Sequence, residues 1–428
     1  MAQGRVILFG DFTAEETQEV LATSHIAPPP QQPKLAKPFS WSNLAKSQTA
    51  SGPSRPPPTV SVNTLTTTLE TAFEEALTEL NLHECARDLQ RRGFVNQGNT
   101  CFQNVTFQAL LACPPFRNLL CLLSAKAGDI NVTRQPLVGW KHLIQLIREL
   151  DEPTLAQQMT MKQQHKKPAA PVILSPHFLR LFQSANGMQQ DALEFLEFLL
   201  DHLHVDFETS PCSFPLHAPA SPHDGWAEIQ KHGKASIVHH NIVENHSPIT
   251  FLFKGTLRSE LIRAGRKVGA ATIEPFHCLH LTTPSLTATL SQMIQATMAD
   301  EVLEPSTLKR TTFETLPVVL TLHVKRFTYD AVQGPLKLDT VVQYPVELDL
   351  PPSLFSPTLL HETKRATYKL FSVISHHGQH AVGGHYTVVC CDAKDQWSLY
   401  DDDAVQYVPK HAALAERAYL LFYLRVTP

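Results

Sequence analysis

The order of its periodic segments constrains the fold of this chain more than any other feature. Apolar residues recur at helical spacing in the first half, and segments rich in β-branched and aromatic residues follow from about residue 248. The predicted helices begin near residue 64 and at Cys101, and two more cover Trp140–Leu150 and Gln189–His204. The predicted strands are Ile249–Phe253, Val318–Phe327, Tyr368–Ile374, His385–Cys391 and Tyr419–Leu424. Helices followed by antiparallel strands indicate an α+β fold with a site between a helical lobe and a sheet lobe.

The composition narrows the classes of function. Of the 428 residues, 43% are apolar, but no run of about 18 apolar residues predicts a membrane span. The net charge of −4 comes without a basic block, which argues against direct binding of nucleic acid. The eight cysteines have no regular spacing and fit a reducing compartment. We therefore expect a cytoplasmic protein, with the nucleus as an open alternative.

The first 62 residues differ in kind from the remainder. Prolines crowd Pro28–Pro58 among glutamine, serine and lysine, and such a segment cannot bury enough apolar surface to offset its ordering entropy. We expect a disordered tail over 1–62, a helical lead-in over 63–91 and one folded domain over 92–426.

Cys101 is the best candidate nucleophile. A polar loop, Asn96–Thr100, precedes it and an apolar helical pattern follows, so it should lie at a helix N-terminus. There, the positive end of the macrodipole and nearby backbone N–H groups favour thiolate over thiol. The alternative is a small buried apolar residue, which is what most free cysteines are.

A catalytic thiol needs a general base, a group that orients the base, and donors for the oxyanion. His385 follows Gly383 and Gly384, which let a peptide backbone approach closely, and it begins a predicted strand. Asp401 lies in the next strand, and a hairpin would bring it beside His385. Taken singly, a histidine in a glycine-rich turn and an aspartate triplet are more typical of structural roles; their order after Cys101 favours catalysis.

The motifs match one family in sequence order. Asn96–Phe102 resembles the cysteine box of the ubiquitin-specific proteases, and Gly383–Tyr386 with Tyr400–Asp402 resembles their histidine box. Three further segments resemble family motifs: Gln189–Phe195, Leu316–Phe327 and Tyr419–Tyr423. The resemblance covers about 92–426. It implies a papain-like cysteine protease fold with thumb, palm and fingers, and the activity of a deubiquitinating thiol isopeptidase.

The resemblance implies a role for each matching catalytic residue. Cys101 would attack the carbonyl of ubiquitin's C-terminal glycine, His385 would move the proton, and Asp401 would orient the imidazole. Asn96 would be the side-chain donor to the oxyanion. Asp402 would support the oxyanion site or substitute as the orienter, and which of the two acids orients His385 stays open.

The same resemblance implies a substrate channel, and a departure from the family pattern argues against a metal. Asp191 would receive ubiquitin's basic, extended tail, while Gly383, Gly384 and Tyr386 would line or support a channel around its terminal glycines. Many family members carry two Cys-x-x-Cys pairs that bind zinc in the fingers. The expected fingers of this chain, about 245–325, contain only Cys278, so we expect no structural zinc and no cofactor.

The tail carries a second resemblance. Phe9, Gly10, Asp11 and Phe12 form a segment similar to the short motif with which one family member and some viral proteins dock on the NTF2-like domain of the Ras-GAP SH3-domain-binding proteins of stress granules. Two aromatic anchors flank a glycine that permits a tight bend, and the acid fixes the register. The expected partners are therefore ubiquitin, ubiquitinated proteins and this NTF2-like domain.

Two other functions stay open from the sequence. One is a catalytically silent adaptor that binds ubiquitin, although every catalytic position holds a competent residue. The other is a cysteine protease that acts on another ubiquitin-like modifier.

Overall fold

The computed structural model describes most of the chain beyond residue 67. The described ranges are 68–83, 89–132, 134–151, 170–181, 190–214, 226–231, 234–240, 247–263, 271–283, 287–330, 334–378 and 383–426. The expected disordered tail over 1–62, with its motif Phe9–Phe12, lies outside the described residues, as does part of the lead-in.

Helices dominate the described chain up to residue 208. They are α1 Leu69–Glu79, α2 Cys101–Ala112, α3 Pro114–Lys126, α4 Val138–Leu150, α5 Pro176–Leu181 and α6 Ala192–Glu208. Local capping sets where two of them begin, because the side chains of Thr68 and Asp191 accept hydrogen bonds from backbone N–H groups of the first turns of α1 and α6. The four helices predicted from apolar spacing correspond to α1, α2, α4 and α6.

Strands and short helices make up the remainder. The strands before residue 305 are β1 Trp226–Lys231, β2 Lys234–His240, β3 Gly255–Arg263, β4 Ala271–Phe276, β5 Cys278–Leu281, β6 Thr287–Thr289 and β7 Glu301–Glu304. The next are β8 Thr307–Thr315, β9 Val319–Val324, β10 Phe327–Asp330, β11 Gly334–Lys337, β12 Val341–Gln343 and β13 Glu347–Leu350. The last are β14 Ala366–His377, β15 His385–Cys391, β16 Trp397–Asp401, β17 Ala404–Val408 and β18 Ala418–Arg425. The short helices are α7 Pro248–Phe253, α8 Leu290–Thr297, α9 Pro357–Glu362, α10 Lys410–Ala413 and a 3-10 turn at Pro352–Leu354.

The strands form two sheets and two isolated pairs. The large sheet has the order β17-β16-β15-β14-β18-β9-β5, with β13 beside β14. Its neighbours are antiparallel except for β5 and β9, which run parallel. The second sheet has the order β1-β2-β4-β3-β8-β7, and its first strand in sequence starts at Trp226. The pairs are β10–β11 and β6–β12.

Helix α2 lies in the interior between the helices and the large sheet. Every residue from Cys101 to Leu111 is buried, and the helix packs against α3 and α6 on one side and against β14, β15 and β16 on the other. A helix that is apolar on every side is buried in the core, where it contacts elements on all sides. It therefore brings its first residue to the boundary between the helical lobe and the sheet, as an α+β fold with an interlobe site requires.

The predicted strand over Ile249–Phe253 is wrong, because this segment lies in helix α7. The Ser247 hydroxyl accepts from the Thr250 N–H at 3.2 Å, while the Thr250 hydroxyl accepts from the Ser247 N–H at 2.9 Å. Pro248 occupies the first helical position, which suits its fixed φ angle. This capping box outweighs the strand preference of β-branched and aromatic residues, which are buried here by tertiary packing.

The length and apolar character of the described helices decide whether any of them could span a membrane. No single helix among them is long and apolar enough to cross a membrane; α2 and α3 meet the length and composition requirement only as a pair, bent by 85°.

The segment around Gly93 ties the two lobes together. Val172 N–H donates to Gly93 O at 2.8 Å, and on the other side Phe94 N–H donates to Asp402 O at 2.8 Å. A Cβ atom at Gly93 would lie 2.5 Å from the carbonyl oxygens of Asp402 and Asp403. Only glycine allows the chain to pass this close to the turn after β16.

We expect Gly93→Ala to destabilise the domain, because the added methyl group must displace backbone atoms. Overpacking costs about 1–3 kcal/mol, and each kcal/mol lowers the unfolding temperature of a domain this large by roughly 2–4 °C. Thermal unfolding followed by circular dichroism measures the change. Gly128→Ala is the control, since no atom lies within 4 Å of the new Cβ there. Equal unfolding temperatures for the two variants would contradict the close approach.

Candidate active site

Cys101 is the first residue of α2, and the side chain of Asn96 holds the loop before it through hydrogen bonds. Asn96 Oδ1 accepts from the N–H groups of Gly98 and Thr100, both at 3.1 Å. Gly98 (φ 97°) and Asn99 (φ 58°) adopt left-handed backbone conformations, which glycine and asparagine tolerate best. The loop therefore turns sharply and delivers Cys101 to the start of the helix.

His385 and Asp401 meet at one end of two adjacent antiparallel strands. His385 opens β15 and Asp401 closes β16, and Nε2 of the imidazole lies 2.6 Å from Oδ1 of the carboxylate. Because Nε2 is engaged by Asp401, Nδ1 is the nitrogen left to serve a thiol. The glycines before His385 have φ angles of 89° and 116°, and a Cβ at Gly384 would lie 2.4 Å from His377 O. The turn that presents His385 therefore requires glycine.

The Asp402 side chain lies close to this pair but forms its hydrogen bonds with the cysteine loop and helix α2. Its Oδ2 accepts from Asn96 Nδ2 at 2.9 Å, and its Oδ1 accepts from Asn104 Nδ2 at 2.8 Å. Its backbone oxygen receives the Phe94 N–H. The two acids thus differ in contact: Asp401 meets the imidazole, and Asp402 meets the amide side chains.

Asn104 is a site residue that the sequence patterns did not indicate. It is 2% exposed and donates to Phe94 O at 3.2 Å as well as to Asp402. Its position three residues after Cys101 places it on the same helix face, one turn further along. An amide one turn beyond a candidate nucleophile, inside an apolar helix, is the signal that could have found it.

The pKa of the Cys101 thiol is raised, so the expected shift toward thiolate is wrong. Burial is the largest cause, and the nearby Asp402 carboxylate raises the pKa further. Hydrogen bonds from backbone N–H groups, chiefly that of Tyr386, lower the pKa but do not offset burial. Because Tyr386 follows His385 directly, this contact also places the thiol beside the start of β15.

Asp191 caps α6 and joins it to two strands of the large sheet. Its Oδ1 accepts from the Leu193 N–H at 2.7 Å, and its Oδ2 accepts from the hydroxyls of Tyr386 at 3.3 Å and Tyr419 at 2.5 Å. Burial and then the Asp191 charge raise the pKa of both hydroxyls, which keeps them as donors. Tyr386 is 1% exposed and so lies beneath the site rather than on its surface. The contact of Asp191 with a substrate tail stays a prediction.

Lys337 and His376 support the glycine turn from behind. Lys337 Nζ donates to His376 O at 2.9 Å and to Gly378 O at 2.7 Å. Burial and the Lys337 charge lower the pKa of His376, so its imidazole is neutral near pH 7 and donates from Nε2 to Gly383 O at 3.2 Å. These bonds fix the backbone on both sides of the turn that leads into His385.

One group of potential metal ligands occurs within the described residues. Atoms of His385, Asp401 and Asp402 lie within 4.8 Å of one another. The hydrogen bonds from His385 to Asp401, and from two asparagines to Asp402, already account for this clustering. The expected absence of a metal stays a prediction.

The fold and the site together define the arrangement of a papain-like cysteine peptidase: a cysteine at the start of a helix, beside the strand of an antiparallel sheet that carries a histidine bonded to an acid. Residues 92–423 match the family model described as ubiquitin carboxyl-terminal hydrolase. The chain belongs to this family, which confirms the resemblance drawn from its motifs.

Similar proteins agree with this placement. Ubiquitin carboxyl-terminal hydrolase 10 of Gallus gallus is 31% identical over 402 residues, which are 82% of this chain and 51% of the relative. Ubiquitin hydrolase B of Dictyostelium discoideum is 33% identical over 319 residues, which are 68% of this chain and 67% of the relative. The chain spans about half the length of the hydrolase 10 relatives that it matches.

Solved structures support the fold. The chain resembles one in the structure of the SAGA Ubp8/Sgf11/Sus1/Sgf73 DUB module bound to ubiquitin aldehyde, with a TM-score of 0.60 at 21% identity. The likeness covers 83% of this chain and 74% of that one. The predicted α+β fold of this family is confirmed.

We expect alkylation of Cys101 by iodoacetamide to keep rising above pH 9, the ordinary thiol value, because a raised pKa keeps the thiol protonated to higher pH. Peptide mass spectrometry over a pH series measures the rate at this cysteine alone. Asp402→Asn should move the midpoint down, since it removes a carboxylate that disfavours the thiolate. Asp403→Asn, an exposed neighbour, should not. A midpoint below pH 7 in the unaltered protein would contradict the dominance of burial.

Proposed function

We propose that this protein is a thiol-dependent deubiquitinase that hydrolyses the bond after ubiquitin's C-terminal glycine on substrate proteins. The observation that carries the proposal is the position of the Cys101 thiol beside the backbone N–H of Tyr386, which directly follows His385 of the His385–Asp401 pair, in a chain of the ubiquitin carboxyl-terminal hydrolase family. The titles of similar structures, which name ubiquitin aldehyde and monoubiquitin, support ubiquitin as the substrate class.

The proposed reaction begins with proton transfer from the thiol. His385 Nδ1 accepts the proton of Cys101, and the sulfur attacks the carbonyl carbon of the terminal glycine. The tetrahedral intermediate collapses to a thioester when the imidazolium protonates the leaving lysine amine. Water then attacks the thioester with His385 as base, which releases the carboxylate and restores the thiol.

Burial of the Cys101 thiol explains why the proposed reaction needs a proton transfer. A thiol with a raised pKa reacts only when a base takes its proton, so the nucleophile and the base must act together. Asp401 keeps Nε2 protonated and thereby holds Nδ1 in the accepting tautomer.

Asn96 is the proposed side-chain donor to the oxyanion. Its amide is held at both ends, by backbone N–H groups on Oδ1 and by Asp402 on one Nδ2 hydrogen. The second Nδ2 hydrogen and the backbone N–H groups at the start of α2 are then preorganised for negative charge. Losing one such donor typically costs about 3 kcal/mol of transition-state stabilisation.

Hydrolysis of a ubiquitin C-terminal fluorogenic amide tests the activity. We expect turnover by the full chain, none by Cys101→Ser, and a loss of at least about a hundredfold in kcat for Asp401→Ala, because the imidazole loses its orienting partner. Asp403→Ala is the matched control and should keep full activity. Faster turnover of another ubiquitin-like modifier would overturn the substrate assignment. Ubiquitin binding without turnover by a folded protein would favour a silent adaptor.

We further propose that the N-terminal motif Phe9–Phe12 recruits the enzyme to the NTF2-like domain of a Ras-GAP SH3-domain-binding protein. The support is the sequence of the motif and its place ahead of a proline-rich segment. Location in the cytoplasm, and in stress granules through this partner, is part of the same proposal.

Phe9→Ala should abolish co-purification with the purified NTF2-like domain, because it removes one of two aromatic anchors, while ubiquitin hydrolysis stays unchanged. Pull-down and hydrolysis assays on the same preparation separate the two effects. Phe39→Ala, a phenylalanine elsewhere in the N-terminal segment, is the matched control. Equal capture of the Phe9→Ala variant would refute the docking role.

A further inference from the structure

A cavity of about 640 Å³ lies at the opposite end of α2 from Cys101. Its walls come from the last turns of α2, the first turn of α3 and strands β15, β16 and β17 at one end of the large sheet. The 1.5 Å rise per residue puts it about 15 Å along the helix from the thiol. Its volume falls within the range of small-molecule sites, which is about 300–1,000 Å³.

One wall of the cavity carries a buried arginine. Arg117, in the first turn of α3, is 8% exposed, and its Nε atom has no hydrogen-bond partner in the described part of the chain. A guanidinium stays charged at any accessible pH, and a buried charge is costly unless it is paired. Within the described residues, the fold therefore keeps a positive group whose Nε atom is unpaired at this wall.

The charges around the cavity do not neutralise Arg117. Asp392 is the one acid among the described lining residues, and it forms an ion pair with Arg91. Its other oxygen accepts from the backbone N–H groups of Lys394 and Gln396, both at 2.8 Å. With Asp392 satisfied by these contacts, the lining offers an excess of positive charge.

Part of the remaining lining is apolar. Leu111 and Leu150 from the helices face the same space as Tyr400 and Val405 from the sheet. Apolar surface with a small number of charged groups is typical of sites that bind small organic molecules.

We propose that this cavity binds a small organic anion, a phosphate monoester or a carboxylate on an apolar or aromatic body, with Arg117 as the ion-pair partner. The anion satisfies the guanidinium, and the body covers the leucines and Tyr400. Such a ligand contacts both α2, which begins with Cys101, and the strands that carry His385 and Asp401. The site is independent of the proposed hydrolase activity.

Phenyl phosphate, benzoate and inorganic phosphate are the probes, and thermal unfolding and titration calorimetry on the full chain are the measurements. A ligand that binds only the folded state raises the unfolding temperature in a saturable way. We expect phenyl phosphate or benzoate to do so at one site per chain, and inorganic phosphate to bind more weakly because it lacks the apolar body. The first two probes distinguish phosphate from carboxylate as the preferred anion.

Arg117→Met is the decisive variant, since it keeps an apolar stem and removes the charge. We expect at least about a tenfold loss of affinity, with an unfolding temperature no lower than that of the unaltered protein, because an unpaired buried charge is removed. Arg310→Met is the control: Arg310 is paired with Asp300 far from this cavity, so its loss should leave probe binding unchanged.

Three outcomes would overturn the proposal. The first is no saturable response to any probe. The second is binding that Arg117→Met leaves unchanged, which would place the probe elsewhere. The third is binding that appears only in a Glu84→Gln, Asp88→Asn double variant, which would mean that a carboxylate of the chain, outside the described residues, already serves Arg117.

Discussion

The hydrogen bonds of Asp402 are the interaction on which the site depends. Its backbone oxygen holds the strand-like segment ahead of the cysteine loop, and its carboxylate holds Asn96 in that loop and Asn104 in α2. The residue adopts a left-handed backbone with φ of 50°, so the turn after β16 projects these oxygens toward the helical lobe. Because Asp401 precedes it, one turn both orients the imidazole and fixes the loop that carries the nucleophile.

This arrangement makes the candidate site depend on both lobes. Cys101 comes from the helical lobe, and His385 and Asp401 come from the sheet, so the geometry of the proposed catalytic residues depends on how the lobes pack. Close backbone approach at Gly93 and the tyrosine contacts of Asp191 add two further ties across the boundary. The burial that such packing requires also raises the pKa of the Cys101 thiol. His385, the proposed base at the start of β15, would remove the proton that burial retains on the sulfur.

The sequence was sufficient for the fold class and for the family, because both are expressed in local patterns. Helical spacing predicted α2, and the order of the cysteine, histidine and aspartate motifs indicated the family. Asn104 was missed because its partner Asp402 lies 298 residues away, so the sequence shows a polar amide inside an apolar helix but not the contact that the amide makes. The strand preference of its residues led to the wrong prediction for Ile249–Phe253, which is helical because a capping box stabilises the start of the helix. The thiol pKa was misjudged because a helix N-terminus is a local feature, whereas desolvation depends on the whole interior.

Reaction with ubiquitin that carries an electrophile at its C-terminus tests the central claim most directly, with the modified residue located by peptide mass spectrometry. The account predicts one adduct per chain, on Cys101, lost in Cys101→Ser and kept in Cys212→Ser. An adduct on another cysteine, or none on a folded protein that binds ubiquitin, would contradict it.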